Sequence, residues 1–174
     1  PHIDYMDRVN AICAERNVLL IADEIQTGIA RTGSLLAVCG NCSCGSRCEQ
    51  KYPRKPDLLI LGKALSGGVY PVSAVLADDE VMNVIQPGQH GSTFGGNPLG
   101  ARVAVAALEV VEREGLAQHA REMGELFRSE LQKYIDGSQV VKLVRGRGLL
   151  NAIVMNPMPG GRTAWDVCIA LKDN

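Results

Sequence analysis

Two short, uninterrupted apolar runs, each leading into a polar group, constrain this chain more than any other feature. Val18-Leu19-Leu20-Ile21-Ala22 runs into Asp23-Glu24, and Leu58-Leu59-Ile60-Leu61 runs through Gly62 into Lys63-Ala64-Leu65-Ser66-Gly67-Gly68. Apolar runs of this length, without polar alternation, suit strands buried on both faces, as in a parallel sheet. In open parallel sheets, ligands bind beyond the carboxyl ends of the strands. The pattern therefore brings one acid and one amine to the edge where such a sheet keeps its ligand. An amine among apolar and small neighbours loses its proton more readily than a solvated one. That makes Lys63 a candidate for Schiff-base chemistry with a carbonyl compound. Each residue alone has an ordinary explanation, since most lysines are solvated and acids after strands form caps and turns. The pair, at two strand ends, points to a site.

The 174 residues suffice for one domain with a sizeable core, or for parts of two. Eighteen basic and nineteen acidic residues leave a net charge of −1 with no basic stripe, which argues against a nucleic-acid partner. No apolar run approaches the length of a membrane helix, and no charged-then-apolar leader opens the sequence. A membrane role and secretion are therefore not expected. The first residue is Pro1 rather than Met, so either a processed chain or a piece of a longer product is expected.

Along the chain, Asp4 to Arg16 has the spacing of a helix, with Tyr5, Val9 and Ile12 on one face, and Asn17 closes it. Strands are expected at Val18–Ala22, Leu58–Leu61 and Val72–Leu76, which together with the helices indicate an α/β layer. Asp78 is expected to cap a short helix over Asp79 to Ile85, before a loop of glycines and hydroxyls, Gln86 to Asn97. Asn97-Pro98 reads as an N-cap followed by proline at the first helical position. The helix it opens is broken or bent at Gly115 and continues to Tyr134. Strands Val140–Val144 and Leu150–Val154 follow, then a Pro/Gly-rich turn and a capping box, Thr163-x-x-Asp166, before a last helix.

Six cysteines are present. Cys13 and Cys168 sit in helical patterns and are expected to pack as small apolar residues. Cys39, Cys42, Cys44 and Cys48 crowd into one stretch. Four thiolates suit tetrahedral zinc, although structural zinc sites usually space two pairs well apart. A redox pair and a loop of free thiols are the other two readings, and all three stay open.

Three ordered blocks carry a resemblance. Val18 to Gly33, with Asp23-Glu24-Ile25-Gln26-Thr27-Gly28 at its centre, resembles the signature of class III aminotransferases. Leu61-Gly62-Lys63-Ala64-Leu65-Ser66-Gly67-Gly68 through Leu76 is similar to the family's cofactor-lysine block, and His90-Gly91-Ser92-Thr93-Phe94-Gly95-Gly96-Asn97 to its third motif. Within the class, this wording and that of Val144 to Val154 are most similar to the ornithine-using branch. The resemblance implies a fold type I α/β architecture: a mostly parallel sheet with helices on both faces, then a long helix into a small α+β domain. Residues 1–107 would belong to the large domain, with a Cys-rich insert at about 37–54, and residues 108–174 to the linking helix and the start of the small domain.

The resemblance also implies pyridoxal 5′-phosphate as cofactor. Lys63 matches the family's catalytic Schiff-base lysine, Asp23 the acid that pairs with the pyridine nitrogen, and Gln26 the group that bonds the phenolic oxygen. Ser92 and Thr93 match phosphate contacts given to a neighbouring subunit, so a homodimer or higher assembly is implied. The implied substrates are small amino acids and 2-oxo acids, with the δ-amino group of L-ornithine passing to 2-oxoglutarate. Sibling donors, N-acetylornithine or 4-aminobutyrate, are the first alternative. A non-catalytic metal- or redox-responsive α/β module is the second. The family occurs in the mitochondrial matrix and the cytoplasm. Its early glycine-rich phosphate loop, ring-stacking aromatic and substrate-gripping arginines have no counterpart in this sequence, so the isolated chain is expected to be inactive.

Overall fold

A computed structural model describes residues 5–39 and 56–173. Helix α1 spans Tyr5–Glu15. Its end is a Schellman motif: Asn17 takes a left-handed conformation (φ 53°), Val18 N–H donates to Cys13 O at 2.8 Å and Asn17 N–H to Ala14 O. This use of Val18 corrects the expected strand. Val18 still belongs to the helix cap, and Leu20 N–H donates to the Asp57 carboxylate at 2.7 Å, so the ladder of β1 covers only Ile21–Asp23. Asp4, the expected start of α1, lies outside the described residues.

Strand β1 pairs in parallel with β2, Leu58–Leu61, in the register Ile21 to Leu58 and Asp23 to Ile60. Strand β3 forms at Ala74–Ala77, two residues later than Val72 suggested, and runs antiparallel to β2, with Leu61 opposite Ala74. The sheet order is β1-β2-β3. Burial on both faces does not hold for β1. Val18 and Leu19 are each 57% exposed and Ile21 is 54% exposed, since no further layer covers that face among the described residues. The buried apolar groups are Ala22 of β1 with Ile29, Ala30, Leu65 and Ala120, three of them in the loops that leave β1 and β2.

Helix α2 covers only Asp79–Met82, not the stretch to Ile85, and Asp78 occupies its N-cap position without a side-chain capping bond. Helix α3, Pro98–Arg113, has a built N-cap in which Asn97 Oδ1 accepts from Gly100 N–H at 2.7 Å. Gly115, left-handed at φ 60°, separates it from α4, Leu116–Ile135, so the long helix is two helices joined at a glycine. Strands β4, Val141–Arg147, and β5, Leu150–Met155, form an antiparallel hairpin with an irregularity between Val141 and Leu143. Helix α5, Ala164–Asp173, starts with the acid half of the expected capping box: Thr163 N–H and Oγ–H both donate to Asp166 Oδ2, at 2.6 and 2.8 Å, while Asp166 N–H donates to the Thr163 carbonyl rather than to its hydroxyl. None of its residues is buried, and Cys168 is exposed rather than packed.

Two contacts tie these elements to the strand ends. Ala107 of α3 lies against Gly67, where an added Cβ would come to 3.5 Å, so α3 rests on the loop after β2. Arg128 of α4 donates to Gly148 O at 3.1 Å and to Asn151 Oδ1 at 2.7 Å, which seats α4 on the hairpin turn. Among the described residues, no helix is long and apolar enough to cross a membrane.

Candidate active site

The site grows from the parallel pairing of β1 and β2, which brings Asp23 and the approach to Lys63 to one edge. Glu24 N–H donates to Ile60 O at 2.9 Å, one step beyond the ladder, and the chain then turns. Asp23 makes that turn, with Oδ1 accepting from Ile25 N–H at 3.0 Å. Its Oδ2 takes no hydrogen bond among the described residues. Among the described residues, the acid is thus bonded through one oxygen and not the other.

The turn carries Gln26 back over the end of β2. Ile25 packs on Gly62, where a Cβ would sit 3.4 Å from an Ile25 methyl, so the turn and the lysine loop are in contact. Lys63 Nζ donates to Gln26 Oε1 across 37 positions of sequence. Lys63 itself takes a left-handed backbone conformation, φ 47°, which a non-glycine residue seldom adopts and which marks a conformation imposed by its surroundings. It opens a 3-10 turn, Lys63–Ser66, that ends at left-handed Gly67, and Leu65 and Ser66 are buried. The amine is exposed, so the described residues do not supply the desolvated setting that the neighbouring sequence suggested.

Glu24, next to the expected acid, is 1% exposed and carries the largest fully buried side chain. Oε2 accepts from Thr27 Oγ–H at 2.6 Å, and Oε1 accepts from Val38 N–H at 2.7 Å. The sequence reading gave it no role. A signal was present in the Glu24-x-x-Thr27 spacing, which lets a carboxylate meet a hydroxyl within one turn.

Ser92 and Thr93 are exposed on the loop before α3. Ser92 Oγ accepts from Gly95 N–H at 2.9 Å, and Asn97 Nδ2 donates to Phe94 O at 2.6 Å, so the loop is a compact turn bonded to itself. Among the described residues, no hydrogen bond joins Ser92 or Thr93 to Asp23, Gln26 or Lys63. The structure therefore joins Gln26 to Lys63, with Asp23 at the end of the neighbouring strand, and shows no bond from either hydroxyl to them among the described residues. Cys42, Cys44 and Cys48 lie outside the described residues, as does the side chain of Cys39. Among the described residues, no group of three His, Cys, Asp or Glu is placed to hold a metal.

Residues 1–174 match the family model for class III aminotransferases, and the chain belongs to that family. It is 56% identical over its whole length to the mitochondrial ornithine aminotransferase of Drosophila ananassae, of which it spans 37%. It is 50% identical to the ornithine aminotransferase of Saccharomyces cerevisiae, spanning 39% of it. Among solved structures, an acetylornithine aminotransferase from Elizabethkingia anophelis superposes with a TM-score of 0.82 at 53% identity, covering 99% of this chain and 40% of that one. An ornithine aminotransferase from Plasmodium yoelii superposes with a TM-score of 0.84 at 46% identity, covering 99% of this chain and 43% of that one. The chain thus spans well under half the length of these relatives, and its fold is that of an α/β aminotransferase segment.

Proposed function

We propose that the full-length protein carrying this chain transfers the δ-amino group of L-ornithine to 2-oxoglutarate with pyridoxal 5′-phosphate as cofactor. The observation that carries this reading is the Lys63–Gln26 contact at the ends of two parallel strands, one of which ends in the carboxylate of Asp23, whose Oδ2 takes no hydrogen bond among the described residues. The donor set suits the cofactor: an amine for its aldehyde, an acid for its ring nitrogen and an amide for its phenolic oxygen. When bound, pyridoxal 5′-phosphate supplies an aldehyde that takes up amino groups and a ring that accepts electrons.

In this reading Lys63 holds the cofactor through Nζ and then carries a proton at the same atom. Asp23 Oδ2 keeps the proton on the ring nitrogen, and the Oδ1 bond to Ile25 N–H orients it for that task. Gln26 orients the Lys63 amine through Oε1. Ser92 and Thr93 offer hydroxyls to the phosphate of a neighbouring subunit, which requires a homodimer or larger assembly. Residues 1–107 form part of the cofactor domain and residues 108–174 lead into the small domain. The mitochondrial names of several relatives favour the matrix, with the cytoplasm as the other location.

N-Acetylornithine as amino donor is the second reading, favoured by the 53% identity to the Elizabethkingia anophelis enzyme. The deciding experiment compares ornithine and N-acetylornithine as donors for the full-length protein, after reduction with borohydride has mapped the cofactor to a lysine. Modification concentrated on Lys63, with turnover of ornithine, supports the proposal. Turnover of the acetylated donor alone transfers the assignment to the sibling activity, and modification elsewhere refutes the role of Lys63.

A further inference from the structure

A buried carboxylate is costly unless its oxygens are satisfied, so a carboxylate at 1% exposure beside the candidate site calls for an account. All four polar groups of Glu24 are used. Its N–H donates to Ile60 O at 2.9 Å, its carbonyl accepts from Gly28 N–H at 2.9 Å, and its carboxylate accepts from Thr27 Oγ–H and Val38 N–H. Glu24 therefore closes the turn of residues 24–28 and pins it both to the end of β2 and to the segment at Val38. Gln26 is enclosed in that turn. The closure is tight: a Cβ on Gly28 would lie 2.8 Å from Glu24 O, so only glycine completes it.

We propose that Glu24 is a positioning residue, whose buried carboxylate holds the turn 24–28 so that Gln26 Oε1 meets the amine of Lys63. The inference rests on the reading of Lys63 as the cofactor lysine. Gln26 is exposed, and a free side chain there has several rotamers of similar energy. Its backbone is held by the groups that bond Glu24, so the direction in which the amide reaches Lys63 is set two residues upstream.

The test uses the full-length protein with pyridoxal 5′-phosphate, reading equilibrium affinity and the share of borohydride-fixed label on Lys63. Glu24→Ala, Glu24→Gln, Thr27→Val and Gln26→Ala are compared with the wild type. Glu24→Ala is expected to weaken cofactor affinity roughly tenfold and to lower the Lys63 share to that of Gln26→Ala, as loss of charge-assisted bonds predicts. Glu24→Gln is expected to stay within about threefold of wild type, because an amide oxygen still accepts from Val38 N–H and its NH2 can donate to Thr27 Oγ. Should Glu24→Ala not fold, Thr27→Val keeps the side-chain shape and removes one bond. A shift toward Gln26→Ala supports the proposal. Wild-type labelling in the folded Glu24→Ala or Thr27→Val protein overturns it while leaving Lys63 in its role. A wild type unlabelled at Lys63 overturns both.

Discussion

The carbonyl oxygen of Gly33 accepts two N–H groups of Arg121, Nη2 at 2.8 Å and Nε at 3.3 Å, across 88 positions of sequence. Helix α4 is thereby bonded to the loop that follows Gln26. The approach is close, since a Cβ on Gly33 would lie 3.1 Å from the Arg121 Cβ. A planar guanidinium supplies this fork and an ammonium does not. Arg121→Ala should destabilise the full-length protein by about 1–3 kcal/mol, and Arg121→Lys should recover less than half of that loss. Urea denaturation checks both. Equal stability of the arginine and lysine proteins would show that the fork is not what holds α4 here.

Gly124 of α4 faces the backbone of Gly148 in the hairpin turn, and any Cβ on Gly124 would collide with the Gly148 carbonyl. The obstacle is main chain, which no rotamer change relieves. Gly124→Ala is therefore expected to cost more than about 3 kcal/mol or to prevent folding. Gly91→Ala, at a position with open space around it and no left-handed backbone, should stay within about 0.5 kcal/mol. Thermal unfolding of the two variants gives the contrast.

Asn97 serves two turns at once, accepting from Gly100 N–H for α3 and donating to Phe94 O for the preceding loop. Asn97→Ala should lose about 1 kcal/mol of stability. Asn97→Asp keeps the capping acceptor and places a negative charge at a helix N-terminus, so it should retain stability. It lacks the NH2 donor, and the loop of Ser92 and Thr93 should loosen. Hydrogen exchange at Gly95, whose N–H is bonded to Ser92 Oγ, should then speed up in the aspartate variant.

Asp166 is held below the ordinary aspartate range, first by the backbone N–H of Thr163, then by its hydroxyl, with a smaller part from the charge of Arg162. A lowered folded-state value means the unfolded chain takes up the proton first as pH falls. The contribution to α5 is complete above the ordinary aspartate value and is lost as pH drops through the folded one. An NMR titration should find Asp166 titrating below the ordinary aspartate value. Thr163→Ala should move it part of the way back, since the backbone bond remains. Asp166→Asn should remove this pH dependence.

How much was legible differs from element to element. The capping box at Thr163 and Asp166 and the N-cap at Asn97 were readable because each is decided within four residues. The ends of β1 and α2 were not. Val18 has the composition of a strand residue, yet its N–H closes α1, and nothing in its own side chain records that use. The direction of β3 was equally hidden, because pairing sense depends on the path of the connection and not on the apolar run.

By itself, the sequence determined the local chemistry: where helices are capped, which runs favour strands, and that an acid, an amide and an amine stand in three ordered places. Short-range bonds and side-chain type suffice for that. Only the tertiary structure decided that Gln26 meets Lys63 across 37 positions and that Ser92 bonds within its own loop. It also decided that Glu24 is buried and doubly bonded beneath the site. Those outcomes depend on strand pairing and on close backbone approach, in which distant segments supply the partners and the cost of burying a charge selects the arrangement that satisfies it.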